Sequence, residues 1–197
     1  FLMLLSSFFY FPAKVYKEPQ PSAPFSGDSL YNPYGDLQGH WLKSNFHAHT
    51  YLPYGLMNGE HTVEETDSAY RSLDYDCIGI SNYQTINRDR DTSDTFVPLY
   101  EHGYNIFKVH QQAIGAENVV KLDFPFWQEK FHKQSILDRL SENSELVAIN
   151  HAGIRNAYPK DEITELRNFD LLEIISHYRD NRDYWDLLLS NGMPVWG

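Results

Sequence analysis

The sequence predicts an α/β fold in which helices cover both faces of a parallel sheet. Three short, mostly apolar segments, Asp76–Ser81, Leu146–Ile149 and Leu171–Ile175, have the composition of buried strands. Helical patterns separate them, and strands that alternate with helices are typical of parallel βαβ units. The hydrophobic fraction of 42% is that of a packed globular protein rather than a disordered chain.

The first half of this pattern begins with a strand predicted over Trp41–Phe46. A helix is predicted to begin after Thr62, because the Thr62 hydroxyl can cap it and Glu65 completes a T-x-x-E capping box. The strand Asp76–Ser81 follows this helix. Residues 84–94 are polar and charged, which indicates a loop.

The second half begins with an extended segment predicted near Tyr104–His110. Apolar spacing and helix-boundary signals then indicate helices that alternate with strands. The predicted order is a helix within Phe126–Glu142, the strand Leu146–Ile149, a helix from Pro159 to about Arg167, the strand Leu171–Ile175, a helix over Tyr184–Ser190 and a strand from Val195.

The acidic composition restricts the class of partner. The formal net charge is −11, which argues against binding of a nucleic-acid duplex, because proteins that bind one usually present a basic face. A small phosphorylated substrate remains compatible with it, since bound metal ions would supply local positive charge. Cys77 is the single cysteine, so an internal disulfide and a multi-cysteine zinc site are excluded. Any metal ion must be held by nitrogen and oxygen atoms.

Residues 1–39 are predicted to lie outside the main domain, which covers residues 40–197. Phe1–Phe11 is strongly apolar but shorter than the roughly 20 residues that span a bilayer. It fits either the remnant of a signal peptide or membrane tether, or a strand or helix packed on the domain. The first interpretation predicts an exported or membrane-tethered protein, and the second a cytoplasmic one. Pro12–Gly39 is rich in proline, serine, glycine and tyrosine and indicates an irregular connector.

His47-Ala48-His49-Thr50 is the most informative motif of the chain. Alternate residues of a strand point to the same face, so both imidazoles can reach one metal ion. A pair of surface histidines near a strand end is the alternative interpretation. The rest of the chain has to decide between the two.

Polar residues also follow the other predicted strands. Asn82 and Tyr83 follow the second strand, His151 follows Leu146–Ile149, and His177 follows Leu171–Ile175. Ligands gather at the carboxyl ends of strands in parallel α/β folds, which predicts a metal site at this edge. The next candidates among the histidines, which flank the third strand region, are His102 and His110.

In their order along the chain, these motifs resemble the PHP family (polymerase and histidinol phosphatase domain). The family pattern is H-x-H-T, an acidic-glycine pair before a helix, a strand ending in T-D-H, a G-x-E, a strand ending in H-P and a late D-x-H. The resemblance extends from about Lys43 to Gly197. The corresponding segments here are His47–Thr50, Asn58-Gly59 before Thr62–Glu65, Ile78–Tyr83, Gly115–Glu117 and Ile149–Ala152.

The resemblance implies a distorted, TIM-like β/α barrel that binds one to three divalent metal ions. Carried over by position, it implies that His47, His49 and His151 bind metal and that Glu117 bridges metal ions. Asn82 is a weaker candidate ligand. Histidine and carboxylate ligands suit zinc, manganese or iron better than magnesium.

Two further candidates rest on position alone. His177 has only a rough counterpart in the family pattern and is a weak candidate ligand. Arg155, which lies just past His151, is a candidate for binding a substrate phosphate, although an ordinary surface arginine explains it equally well.

The chain departs from the family pattern at three points. Asn58 stands where the family often has aspartate, and Asn82-Tyr83 stands where it usually has Asp-His. An amide oxygen can bind a hard cation but carries no charge, and a phenol is a poor ligand. The expected D-x-H would lie beyond Gly197, so the barrel is expected to be incomplete at its C-terminal end.

Three functions follow from this pattern. The first is a metal-dependent hydrolase of phosphate esters that acts on a small phosphorylated metabolite or a nucleotide. The second is a catalytically degenerate PHP-like protein that binds a ligand or glycan. The third is a metal hydrolase of another bond type, such as an amide or a glycosidic bond.

Overall fold

A computed structural model describes Tyr10 and residues 38–51, 59–88 and 95–197. These residues form two small β-sheets with helices packed against them. The elements in chain order are β1 (Ser44–Ala48), α1 (Val63–Arg71), β2 (Cys77–Ile80), β3 (Leu99–His102), β4 (Gln111–Ile114), α2 (Lys130–Ser141), β5 (Leu146–Ile149), a 3-10 turn (Ile154–Asn156), α3 (Lys160–Ile163), β6 (Leu171–Leu172) and α4 (Arg182–Ser190).

The fold is α/β, but the predicted TIM-like barrel is wrong, as is the all-parallel sheet. Strands β1 and β2 form a parallel pair. Strands β3 to β6 form a mixed sheet in which β3, β4 and β5 are antiparallel and β5 and β6 are parallel. Across the described residues the strands form no closed barrel. The reason is local: only residues 103–110 connect β3 to β4, and a parallel connection needs a crossover of about a dozen residues or more.

The two sheets meet where β2 ends against β3. Tyr83, just past β2, forms an isolated parallel bridge with Glu101 in β3, and the Gln84 amide donates to the Glu101 carbonyl oxygen (2.8 Å). In addition, the side chain of Gln112 in β4 donates to the carbonyl oxygen of Phe46 in β1 (2.6 Å). These bonds bring β1, β2, β3 and β4 together around one cluster of polar side chains.

Gly79 in β2 permits the close approach of its neighbours. A Cβ atom at this position would lie 2.4 Å from Leu99 Cδ2 and 3.2 Å from Phe46 Cα. Both distances are shorter than normal packing contacts. A larger residue would therefore displace the Leu99 side chain and press on the backbone of β1.

The main hydrophobic core supports the mixed sheet. Helix α2 contributes Ile136, Leu137 and Leu140, which are completely buried together with Val147 and Ile149 of β5. Burial of one such side chain contributes roughly 1.5–3 kcal/mol. The core thus fixes the sheet from which several side chains of the candidate site project.

Much of the predicted element order is confirmed. Thr62 is the N-cap of helix α1. Its side chain accepts a hydrogen bond from the Glu65 amide, and both halves of the capping box are present. Strand β5 has the predicted bounds, and β2 lies within Asp76–Ser81. The predicted helices correspond to α2, α3 and α4 with shifted ends.

Three predictions of extended structure need correction. The first strand begins later than predicted, at Ser44, and includes His47. The segment Tyr104–His110 is not a strand but forms part of the turn between β3 and β4. Strand β6 covers only Leu171 and Leu172 of the predicted Leu171–Ile175. Leu171 pairs with Ala148 of β5 on one side and forms an isolated bridge with Trp196.

Some predictions fall outside the described residues. Asn58, most of Phe1–Phe11 and nearly all of the connector Pro12–Gly39 are among them. The domain boundary before residue 40 therefore stays a prediction. In the part of the chain that the structure describes, no helix combines the length and the apolar character needed to cross a membrane.

The capping box of α1 gives a direct test of the local structure. Replacement Thr62→Ala removes the acceptor for the Glu65 amide and should lower the free energy of unfolding by about 1 kcal/mol. Urea denaturation followed by circular dichroism measures this change. Thr62→Ser keeps the hydroxyl and should stay near the wild-type value; an equal loss in both variants would contradict the capping role.

Candidate metal centre

A single carboxylate, that of Glu101 in β3, lies at the centre of the candidate site and is completely buried. Four imidazoles surround it. Glu101 Oε1 lies 3.1 Å from His110 Nδ1, 3.3 Å from His151 Nε2 and 3.4 Å from His47 Nε2. Glu101 Oε2 lies 3.0 Å from His49 Nε2. One carboxylate therefore connects residues from four separate parts of the chain.

These side chains form two groups that could each hold a metal ion. The first group is His47, His49 and Glu101, and the second is Glu101, His110 and His151. Within each group, one donor atom per residue lies within 4.8 Å of the others. Glu101 belongs to both groups, so its carboxylate could contribute to either site.

Two buried nitrogen atoms support metal binding independently. Nδ1 of His49 and Nδ1 of His151 have no hydrogen-bond partner among the described residues. A buried polar atom without a partner costs about 1–3 kcal/mol, and a metal ion bound at that same nitrogen would remove the cost. The donor set of neutral imidazoles and a carboxylate thus fits a divalent metal ion.

Strand β1 delivers the histidine pair through an irregular end. Its pairing with β2 shifts in register between Asn45 and Ala48, and His47 lies within this irregularity. The His47 and His49 ring centroids are 5.3 Å apart. Both rings contact the carboxylate of Glu101, in agreement with the same-face geometry that the H-x-H spacing predicts.

The mixed sheet delivers the remaining imidazoles. His110 directly precedes β4, and the antiparallel pairing of β3 with β4 folds it back onto Glu101. His151 follows β5 with a φ of +31°, a backbone region that residues other than glycine seldom adopt. Asn150, the residue before His151, also reaches the carboxylate: its Nδ2 donates a hydrogen bond to Glu101 Oε1 (3.0 Å). This bond offsets part of the cost of burying the charge.

Glu173, just past β6, contacts two histidines of the cluster, His47 and His151. Its Oε1 lies 2.9 Å from His47 Nδ1, and its Oε2 accepts a hydrogen bond from the backbone N–H of His151 (2.7 Å). A carboxylate on the remote nitrogen of a ligand imidazole fixes the tautomer and the ring orientation. Glu173 therefore holds His47 with Nε2 directed at Glu101.

The cluster changes the protonation of its members. Burial disfavours the imidazolium of His47, but hydrogen bonds to Glu101 and Glu173 outweigh it and raise the pKa of His47 to about 10. Burial would raise the pKa of Glu101, yet hydrogen bonds from the histidines, His110 first, hold it well below its usual range. Burial lowers the pKa of His110. At neutral pH the metal-free cluster thus combines an ionised Glu101 with a protonated His47.

Asn82 and Tyr83, the departures from the family pattern, both have other partners. The Asn82 side chain accepts from the Thr50 amide (2.9 Å) and donates to Thr50 Oγ1 (2.8 Å). It therefore fixes the segment after β1 and does not join the predicted ligands. The Tyr83 ring stacks on His49 with centroids 4.8 Å apart, and its phenol lies close to the Glu101 carboxylate. Burial raises the pKa of this phenol, which stays neutral.

Glu117, the predicted bridging ligand, is not part of the cluster. Its side chain is exposed in the turn after β4, where its amide donates to the Asn143 carbonyl oxygen (3.0 Å). The carboxylate that the two donor groups share is that of Glu101. Within the G-x-E pattern, Gly115 forms the turn after β4 with a φ of +67°.

A cavity of about 630 Å³ opens onto the cluster. His47, His49 and His151 are among the residues that line it. The predicted weak ligand His177 and the predicted phosphate contact Arg155 line the same cavity at exposed positions. The structure therefore places both residues beside the cluster but outside the two groups of donor atoms.

Sequence reasoning missed Glu101 and Glu173, and ranked His110 only as a secondary candidate. Glu101 is an acidic residue within a strand that is otherwise largely apolar, and Glu173 lies in a predicted apolar strand. An isolated carboxylate in such a run is a usable signal, because a buried charge needs a partner.

No protein-family model matches the chain, and no curated protein matches it either. Any functional assignment therefore depends on the geometry of this site.

The role of the shared Glu101 carboxylate in metal binding can be tested with a matched pair of variants. Glu101→Gln removes the shared charge and should weaken metal binding by more than the 10- to 100-fold typical of second-shell substitutions, about 100-fold or more. Glu117→Gln changes an exposed residue and should retain the wild-type metal content. Elemental analysis after dialysis against a fixed free metal concentration measures both. Loss of metal in Glu117→Gln alone would contradict this arrangement.

Metal binding should release a proton near neutral pH. His47 is protonated in the metal-free cluster because its pKa is about 10, whereas a metal ion binds the neutral imidazole. The apparent affinity should therefore rise about tenfold per pH unit between pH 7 and pH 9 for each proton displaced.

Calorimetric titration with zinc in buffers of different ionisation enthalpy counts these protons. Glu173→Gln removes one of the two carboxylates that raise the His47 pKa, so it should release fewer protons at the same pH. An affinity independent of pH, with no proton release in the wild-type protein, would exclude the protonated His47.

Proposed function

We propose that this protein is a metal-dependent hydrolase of phosphate esters, acting on a small phosphorylated metabolite or a nucleotide. The single observation that carries the proposal is Glu101, a buried carboxylate that two donor groups share and whose partners His47, His49 and His151 line a cavity. The order of its motifs also resembles the PHP family, for which the same reaction class is expected. The proposal keeps the ligand chemistry of that resemblance and replaces Glu117 by Glu101.

The ligands proposed for the metal ions are His47, His49 and Glu101 on one side and Glu101, His110 and His151 on the other. Imidazole and carboxylate donors favour zinc, manganese or iron over magnesium. Two bound cations would polarise a phosphate oxygen, lower the pKa of a water molecule and stabilise the charge of the leaving oxygen. The short separation of the two donor groups, which share one carboxylate, suits this role.

The remaining residues of the site would fix the donors in place. Asn150 donates a hydrogen bond to the Glu101 carboxylate and holds its orientation. Glu173 does the same for His47 through Nδ1. Such preorganisation matters because donors held in position by their neighbours need no rearrangement when substrate binds. The cavity around them is large enough to bind a small molecule.

The test is chelator-sensitive release of phosphate. The metal-loaded protein should hydrolyse an aryl phosphate such as p-nitrophenyl phosphate, lose this activity on treatment with EDTA and recover it with zinc, manganese or iron. Glu101→Gln should be inactive, and Glu117→Gln should keep wild-type turnover. A correctly folded, metal-loaded protein that hydrolyses no member of a broad phosphoester panel would refute the proposal. Turnover confined to amide or glycoside substrates would instead favour another hydrolase class.

A second candidate function is ligand binding without turnover. It is favoured by the positions of Asn82 and Tyr83. The Asn82 side chain is hydrogen-bonded to Thr50, and the Tyr83 ring stacks on His49. In that case the metal-loaded protein should bind inorganic phosphate in calorimetry but release none from any ester. The double variant Asn82→Asp, Tyr83→His should then bind metal more tightly than the natural chain.

A further inference from the structure

Two basic residues lie together on one side of the cavity. Lys108 belongs to the turn between β3 and β4, and Arg155 to the 3-10 turn that follows β5, and both line the cavity. Arg155 Nη1 donates to the carbonyl oxygen of Ile106 (2.6 Å), two residues before Lys108. The guanidinium is thereby fastened to the segment that carries the lysine.

The turn that presents Lys108 is held by buried groups. Asn105 is buried; its Nδ2 donates to the Phe124 carbonyl oxygen (2.6 Å) and its Oδ1 accepts from the Phe107 amide (2.8 Å). The Lys108 amide in turn donates to the Asn105 carbonyl oxygen (3.0 Å). Lys108 therefore projects from a fixed backbone rather than from a free loop.

Both basic residues adopt an unfavourable backbone conformation. The φ angles of Lys108 and Arg155 are +65° and +50°, which costs a non-glycine residue about 1–2 kcal/mol. Backbone strain of this kind concentrates at functional sites, where the surrounding structure maintains it. Here it occurs twice on one side of one cavity.

Lys108 and Arg155 have no ion-pair partner among the residues that the structure describes. Among the described residues, the ion pairs of lysine and arginine involve other side chains, and Lys108 and Arg155 have no carboxylate within 4.0 Å. This is notable in a chain of net charge −11. Lys108 Nζ lies 6.0 Å from the centroid of the Tyr83 ring, and that ring in turn covers His49. The ammonium is therefore next to the cluster but paired with neither Glu101 nor Glu173.

We propose that Lys108 and Arg155 form a subsite for a second anionic group of the substrate. This inference rests on the proposed function, in which the histidine cluster binds the reacting phosphate. The preferred substrates would then carry two anionic groups on a small scaffold, a phosphate at the cluster and a phosphate or carboxylate at the two cations. An arginine guanidinium and a lysine ammonium are the side chains that proteins use for such groups.

Three matched phosphonates, which cannot be hydrolysed, test the subsite by calorimetry on the metal-loaded protein at constant ionic strength. Propylphosphonate carries one anionic group, 3-phosphonopropionate adds a carboxylate, and propane-1,3-diphosphonate adds a second phosphonate. At least one of the doubly anionic probes should bind about tenfold or more tightly than propylphosphonate, the gain expected for one hydrogen bond to a charged group. The better of the two identifies the second group.

Variants separate this subsite from general electrostatics. Lys108→Asn and Arg155→Asn keep a residue that tolerates a positive φ, and each should abolish most of the tenfold preference while leaving propylphosphonate binding unchanged. Lys160→Asn and Arg71→Asn remove basic residues that pair with Asp183 and Asp67 elsewhere and should keep the preference. Metal content measured after each titration excludes removal of the metal by the probes.

Equal affinity for the three probes, or equal weakening of all three in both cavity variants, would overturn the subsite. The outcomes also distinguish it from the proposed function. Hydrolysis of aryl phosphates without any preference for doubly anionic probes refutes the subsite and leaves the hydrolase intact. A preference that depends on Lys108 and Arg155, without hydrolysis of any ester, supports the subsite and refutes the hydrolase.

Discussion

The structure around the site depends on the burial of one negative charge. The Glu101 carboxylate is completely removed from solvent, and an isolated carboxylate in that environment would be strongly destabilising. Four imidazoles, the Asn150 amide and the Tyr83 hydroxyl surround it. They come from β1, from the segments after β2 and β5, and from the turn before β4. The carboxylate is therefore a constraint on strand positions as well as a candidate ligand, because each strand must deliver its polar group for the charge to be tolerated.

The mixed topology explains how one carboxylate comes to serve two donor groups. In a purely parallel arrangement, neighbouring strands contribute ligands only from their carboxyl ends. Here β3 and β4 are antiparallel, so Glu101 within β3 and His110 just before β4 lie side by side. The bridge between Tyr83, just past β2, and Glu101 in β3 brings the β1–β2 pair beside β3, so that His47 and His49 contact the same carboxylate. The departure from the predicted fold is thus the feature that assembles the site.

The sequence predicts those parts of the fold and site that depend on local patterns. The capping box of Thr62, the bounds of β5 and the same-face geometry of His47 and His49 all follow from spacing over a few residues. A pattern of apolar strands does not reveal strand direction, so it cannot predict the short turn between β3 and β4. The G-x-E motif points to Glu117, whereas Glu101 lies inside a strand and in no recognisable motif. Its importance arises from burial, which depends on residues distant in the chain.

The hydrogen bond between His47 and Glu173 joins residues 126 positions apart. This contact forms only when a loop of that length closes, which costs conformational entropy. During synthesis the histidine pair leaves the ribosome long before its orienting carboxylate exists. Metal ions that bind the finished cluster and not the nascent chain would then favour the native state, because whatever binds only the native state stabilises it by mass action. In such a protein, the metal supply of the cell would influence how much of the chain reaches its native state.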